Sequence, residues 1–206
     1  MILTENEETR ATAAEVIRRG GIVAFRTDTF YGLGVDPFNR AALQALRQLK
    51  GREEAKPILV LIADIGELDR LISQRTPLFD LVSQRYWPGP LTLVGPARKE
   101  LPDELTAATG TIGVRLPNNT RVRDLVRACG GALTATSANP SGQPSARNAQ
   151  EVATYFPTGI DLIMDGGQVI VSEPSTVLDL TGEEPRLIRE GAISKLELMK
   201  IFTTGV

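Results

Sequence analysis

Short apolar runs alternate with amphipathic stretches of helical period along almost the whole chain. No other feature restricts the available folds as much. Thr9 to Arg19 places Ala13, Val16 and Ile17 on one helical face, and Gly20-Gly21 ends it. Ile22 to Phe25 reads as a buried strand, and Arg26 to Gly34 as a polar, Gly-containing loop. Ala41 to Leu49 is helical by spacing, with Leu43, Leu46 and Leu49 on one side. The pattern then repeats: a strand at Ile58 to Ile62, helical stretches at Ile65 to Ile72 and Leu78 to Tyr86, and a break at the WPGP of Trp87 to Pro90. Strands are predicted at Leu91 to Val94, Thr111 to Leu116 and Leu133 to Thr136, with helices at Arg121 to Ala128 and Ala149 to Tyr155. Leu162 to Met164, Thr176 to Leu180 and Arg186 to Arg189 read as strands, and Lys195 to Phe202 as a terminal helix. Several returns are short enough to be antiparallel. The expectation is an α/β fold in which a mixed sheet is covered by helices. No repeat, low-complexity tract or Pro/Ser-rich linker divides the chain, so residues 1–206 are expected to form one domain.

Composition removes whole classes of chemistry. The 206 residues include no His and a single Cys. Ser-His-Asp and Cys-His nucleophile systems need an imidazole base, so they are excluded. Zinc sites built on His or on several thiolates, and haem held by a proximal His, go with them. An enzyme with this sequence works through carboxylates, hydroxyls, Lys, Arg, backbone dipoles or a hard metal ion. Lys plus Arg number 23 against 25 Asp plus Glu, a net charge of −2, so no global cationic field exists for nucleic acid. Cys129 cannot form an internal disulfide, the N-terminal MILTENEETR lacks a signal-peptide pattern, and the longest apolar run, Ile58 to Ala63, is far below the roughly 20 residues that span a bilayer. The expected setting is the cytoplasm, with no membrane contact.

Standard nucleotide fingerprints are missing, both the P-loop and the dinucleotide GxGxxG. Instead, polar small-residue loops stand where strands end, the usual place for ligands in open α/β sheets. In RTDTFYGLG (Arg26 to Gly34), two Thr hydroxyls flank Asp28; they suit either a small polar ligand or a capped turn. KGREEAK brings Lys50, Arg52 and Lys56 into one loop, fit for a polyphosphate or merely a solvated charge run. TATSANPSGQPSA (Thr134 to Ala146) offers hydroxyls and backbone N–H groups with little bulk, as an anion nest or as a connector stiffened by Pro140 and Pro144. Arg115, inside the apolar strand of GVRLP, needs a partner: a ligand carboxylate, or an internal carboxylate such as Asp165 or Asp179. In LIREGAIS, Arg189 closes a strand ahead of Gly191.

Taken in order, TDTFYGLG, KGR…KPILVLIA, YWPGPLTLV, GVRLP, TSANPSG, PSTVLDL and IREGAIS resemble the YrdC-type threonylcarbamoyl-adenylate synthase family, in its short, single-domain form. The resemblance spans about residues 9 to 194. It implies a twisted mixed sheet around a deep, positively charged cavity. The implied reaction joins L-threonine, bicarbonate and ATP to give threonylcarbamoyl-adenylate and pyrophosphate. A downstream machinery would then transfer the threonylcarbamoyl group to an adenosine of tRNA. Lys50, Arg52, Ser137 and Asn139 match the family's tetrad. The same resemblance gives ATP to Arg52, Lys56, Thr111, Ser137, Ser145 and Arg189, and threonine to Thr29, Arg115, Ser175 and backbone near Ala135. Mg²⁺ would ride mainly on the phosphates. Two other readings stand beside this one: a paralogue of the same fold with an unknown substrate, and an RNA-binding module with weak tRNA affinity.

Three positions depart from the family pattern. Arg26 and Glu53 stand where relatives usually carry Pro, and Leu61 where some relatives place a His on the threonine side. The pH–rate profile of such an enzyme should therefore show no imidazole step near the usual value of about 6.5, once bicarbonate itself is held constant.

Overall fold

The computed structural model describes residues 1–51, 57–170 and 173–204, without the side chains of 202–204. Arg52, Glu53 and Lys56 lie outside the described residues. In chain order the elements are β1 (Ile2–Thr4), α1 (Glu7–Arg18), β2 (Val23–Arg26), β3 (Tyr31–Gly34), α2 (Arg40–Lys50) and β4 (Val60–Ile62). A 3₁₀ turn (Ile65–Glu67) leads into α3 (Leu68–Leu71), α4 (Pro77–Tyr86), β5 (Leu91–Pro96), α5 (Asp103–Thr106), β6 (Thr111–Arg115) and α6 (Thr120–Ala128). Then come β7 (Ala132–Thr134), β8 (Thr136–Ser137), α7 (Ala149–Tyr155), β9 (Leu162–Asp165), β10 (Thr176–Asp179), β11 (Arg186–Arg189) and α8 (Lys195–Thr204).

Among the described residues the strands form two mixed sheets, not the single sheet expected. One has the order β1-β9-β2-β3-β8, the other β11-β10-β5-β6-β4-β7. Two further differences share a cause. The YGLG part of the expected loop is strand β3, paired antiparallel with β2. The strand expected at Leu133 to Thr136 is broken in two: β7 pairs with β4 in the second sheet, and β8 with β3 in the first. Glycines hid β3 and hydroxyl residues hid the break before β8, because apolar content there is too low for periodicity to register.

Strand alternation divides the core. Val60 and Ile62 of β4 enter one large apolar cluster with Leu33, Leu46, Phe79, Leu93 and Val114. Leu61 between them enters a second cluster, with Phe25, Leu133, Ala13 and Ile17 of α1, and Val122, Leu125 and Val126 of α6. Period-2 side-chain alternation thus lets one strand serve two cores. Leu61 is fully buried there, which is what an apolar residue at that position permits.

The helix that matters most for the site is α2. Asn39 caps its N-terminus, its side chain accepting from Ala42 N at 3.1 Å. Gly51 ends it in the left-handed region, φ 57°. Its buried side carries Ala42, Leu43, Leu46, Arg47 and Lys50, the i, i+3, i+4, i+7 spacing of one helical face. Lys50 is therefore drawn inward on an apolar stripe. Cys129, after α6, is half-buried, and burial, helped by the charge of Asp36, pushes its thiol up to about 12. Among the described residues, no helix is long and apolar enough to cross a membrane.

Truncating this packing has a measurable cost. Leu46→Ala should destabilise the protein by ~2–5 kcal/mol. Leu196→Ala, at a position 72% exposed, should stay within about 0.5 kcal/mol. Urea denaturation of the two variants checks the contrast.

Candidate active site

The segment 132–139 crosses from one sheet to the other. Thr134, with no exposed surface, pairs with Val60 of β4. It also bonds the chain beyond β3: its N–H donates to Val35 O (3.1 Å), and its hydroxyl accepts from Val35 N (2.8 Å). Ala135 N donates to Leu59 O at 2.8 Å, and two residues later Ser137 pairs with Gly32. Gly34 must lack a side chain, because a Cβ there would lie 2.9 Å from Phe25 and 3.0 Å from Thr134 O. Small residues at the crossing let the two sheets meet closely.

Ser137 and Asn139 emerge at this junction, and Lys50 meets them from α2. The Lys50 ammonium donates to Ser137 O and lies 3.4 Å from Ser137 Oγ. Asn139 is 7% exposed and its amide donates to Pro140 O (3.0 Å) and to Gln143 O. Those two carbonyls fix the amide orientation, and its Oδ1 is buried with no partner among the described residues. A buried acceptor left unmatched costs roughly 1–3 kcal/mol, so it marks where a ligand donor would be welcome. Three of the four tetrad residues are thus brought together; the fourth, Arg52, lies outside the described residues. Ser145 stands beside Ala146, whose carbonyl accepts from Tyr31 N at 3.0 Å.

Arg115, Arg189, Ser175 and the TDT loop form a second group. Arg115 is 2% exposed at the end of β6. Its Nε donates to Gly89 O at 2.9 Å, and its Nη2 to Asp28 Oδ2. Its internal partner is Asp28, and neither Asp165 nor Asp179 serves: Asp179 holds Arg186 (2.9 Å), and Asp165 caps Gly167 N (2.9 Å). Burial pulls the Arg115 guanidinium below its ordinary value, and the Asp28 charge pushes back. Arg189 donates to Ser175 O at 2.8 Å and Ser175 Oγ at 3.1 Å, and Ser175 Oγ lies 3.0 Å from Thr92 Oγ1. Arg189 as a whole is exposed, but desolvation of its guanidinium and then the charge of Arg115 pull it below its ordinary value. Thr29 lies on the same loop as Asp28. Thr27 Oγ1 holds that turn, donating to Phe30 O (2.6 Å) and accepting from Thr29 N (3.1 Å). The turn is thus the capped structure that its sequence allowed.

One face of the second sheet connects these groups. Leu59, Val94, Pro96, Thr111, Gly113 and Val177 are half-exposed, while their neighbours Ile58, Leu93, Gly95, Ile112, Val114 and Leu178 are buried. A Cβ on Gly113 would meet Thr92 at 3.3 Å and Val94 at 3.9 Å, so all three share that face. Thr111 and Arg115 lie on it four residues apart, about 13 Å along the strand. The face thus runs from an arginine pair at one end to an open threonine at the other.

Sequence reasoning missed Asp28, Thr92, Thr176 and the Gly89 carbonyl. Thr176 Oγ1 donates to Ile193 O (2.6 Å) and accepts from Gly191 N (3.1 Å) and Ile193 N (3.0 Å), fixing the turn after Arg189. Thr176 and Asp28 both sit inside the quoted motifs, PSTVLDL and TDTFYGLG; only their contacts were illegible.

This is a two-sheet α/β protein with Lys50, Ser137 and Asn139 at its sheet junction and Arg115 buried on its second sheet. The Sua5/YciO/YrdC family model, described as "Telomere recombination", matches residues 15–191, and the chain belongs to that family. It is 36% identical over 190 residues to threonylcarbamoyl-AMP synthase of Pyrococcus abyssi, covering 92% of this chain and 56% of that one. It is 38% identical over 164 residues to the same-named protein of Thiobacillus denitrificans, covering 80% of this chain and 87% of that one. The crystal structure of Pyrococcus abyssi Sua5 complexed with L-threonine superposes with a TM-score of 0.91 at 35% identity, covering 98% of this chain and 59% of that one. The chain thus spans under two thirds of the Pyrococcus relative's length.

Tyr31 ties β3 to the chain at the end of β9. Its hydroxyl donates to Gly167 O (2.9 Å), accepts from Gly166 N (3.1 Å) and is pushed up to about 12, first by burial. A phenol raised from about 10 adds stability below that pH and loses it as pH climbs towards about 12. Denaturation midpoints should therefore fall across that window, and Tyr31→Phe should remove part of the slope.

Proposed function

We propose that the chain is a threonylcarbamoyl-AMP synthase: a nucleotidyltransferase that condenses L-threonine, bicarbonate and ATP and releases pyrophosphate. The observation that carries this reading is the buried Arg115 at one end of a half-open sheet face whose other end, about 13 Å away, carries Thr111. An amino-acid carboxylate on Arg115, with Thr29, Ser175 and the backbone near Ala135 around it, leaves the length of the face for the nucleotide. Thr111, Ser137, Ser145 and Arg189, together with Arg52 and Lys56, then hold ATP. Lys50 and Asn139 complete the tetrad at the phosphates. The curated relatives' names and the threonine complex of the Pyrococcus protein support the same substrates. In this reading one domain, with its core at about 9–194, surrounds a deep, positively charged cavity and works in the cytoplasm.

The chemistry fits a site without imidazole. Threonine's amine and bicarbonate give a carbamate and water. A carbamate oxygen attacks the α-phosphorus of ATP, the bond to the β,γ-diphosphate breaks, and pyrophosphate leaves. The nucleophile is already an anion, so this step needs no side-chain base. Two anions must be held together, and oriented binding can contribute roughly 7–11 kcal/mol to that. Fixed cations offset charge on the α-phosphoryl and the leaving group. A Mg²⁺ ion suits the triphosphate oxygens; among the described residues no group of three His, Cys, Asp or Glu gathers to hold one. A tRNA-directed transfer machinery would consume the product.

Pyrophosphate release from ATP should require both threonine and bicarbonate; equal turnover without threonine would defeat the proposal. Arg115→Ala should weaken threonine binding by roughly 30-fold or more, as loss of one partner of a buried charge pair does, with ATP affinity little changed. Calorimetric titration of each ligand separates the two.

A further inference from the structure

The least expected partnership in the site is that of Arg115 with Asp28. Asp28 is not among the residues to which the family resemblance assigns a role. Its Oδ2 accepts from Arg115, while its Oδ1 is buried and has no hydrogen-bond partner among the described residues. Arg115 uses two of its N–H groups on Gly89 O and Asp28, out of the five a guanidinium carries. The pair therefore sets spare cationic donors beside a carboxylate whose side chain keeps 19% of its surface exposed and one oxygen unpaired among the described residues. A water-sealed carboxylate oxygen without a donor is unfavourable, and the backbone around it does not relieve it: Thr29 N and Phe30 N both turn to Thr27 Oγ1.

An α-amino acid matches that pattern. It carries a carboxylate and an ammonium separated by a single carbon, so a protein that reads both ends needs a cation and an anion in contact. We propose that Asp28 is the amine-reading residue of the amino-acid subsite: Arg115 takes the ligand carboxylate, and the Asp28 carboxylate accepts an N–H from the ligand's amino nitrogen. This rests on the threonine reading above and adds its specificity-determining partner. After carbamate forms, the same nitrogen keeps one N–H, so the contact survives into the nucleophile and fixes the orientation of its oxygens. The competing view is that Asp28 is a plug, a carboxylate occupying Arg115 until a ligand carboxylate displaces it. The two views predict opposite signs.

Calorimetric binding of L-threonine and of 3-hydroxybutyrate, which is threonine without its amine, decides between them. The wild-type protein should prefer threonine by at least about tenfold, the scale of one hydrogen bond to a charged group. Asp28→Asn should lose that preference: threonine weakens by about tenfold or more, while 3-hydroxybutyrate binds as well as before or better. Asp28→Asn that binds threonine as tightly as wild type, or more tightly, would overturn the assignment in favour of the plug. Should the variant not fold, the wild-type comparison still decides, since equal affinity for the two acids means that no protein group reads the amine. Wild-type protein that binds no threonine at all would overturn the threonine reading itself, and Asp28's role with it.

Discussion

The site depends on one stretch of backbone that belongs to both sheets. Thr134 is hydrogen-bonded to the chain after β3 through its N–H and its hydroxyl, while its strand pairs with β4. Two residues on, the chain has joined the other sheet. A buried crossing must satisfy every backbone group it carries into the interior, and the threonine hydroxyl here does what a sheet partner would do elsewhere. Ser137 and Asn139 inherit their positions from that crossing. Lys50 inherits its position from the apolar stripe of α2, which docks beside it. Rotating either element by one residue would send these side chains to the wrong face.

Charge is arranged around that junction with little slack. Lys50 is anchored on the Ser137 carbonyl, Arg115 on Gly89 and Asp28, and Arg189 on Ser175. Arg115 and Arg189 are thus held in place by neutral oxygens and one carboxylate. Such donors need no reorganisation when a ligand arrives, which is the condition under which electrostatic stabilisation is strongest. The cost is visible in the molecule itself: the charge of Arg115 helps pull Arg189 below its ordinary value, and oxygens of Asp28 and Asn139 have no hydrogen-bond partner among the described residues.

The longer helices were legible in the sequence because their apolar spacing is strong and their ends are capped by Asn6, Asn39, Asn119 and Asn148. Most strands were legible for the same reason. What escaped was the short β1 and α5, the strand β3 and the division of the 133–136 strand; in the last two, glycine and threonine replace the apolar residues that periodicity detects. The residue types of the site were legible as ordered motifs. Pairings were not: Arg115 demanded a carboxylate, but sequence spacing does not say that a loop 87 residues away supplies it. Departures from the family pattern also found explanations. Leu61 faces the smaller core, and Arg26, standing where relatives usually carry Pro, reaches across to Gly166 O at 2.7 Å.

The solitary thiol has a practical consequence. Cys129 lies half-buried behind α6, and its raised value means that almost none of it is thiolate near neutrality. Electrophilic dyes react with thiolate, so the native chain is nearly silent to them under mild conditions. A cysteine introduced at an open position on the second sheet, such as Val177, would then label selectively in the natural background. The protein thus carries a built-in blank for a fluorescent reporter placed on its second sheet.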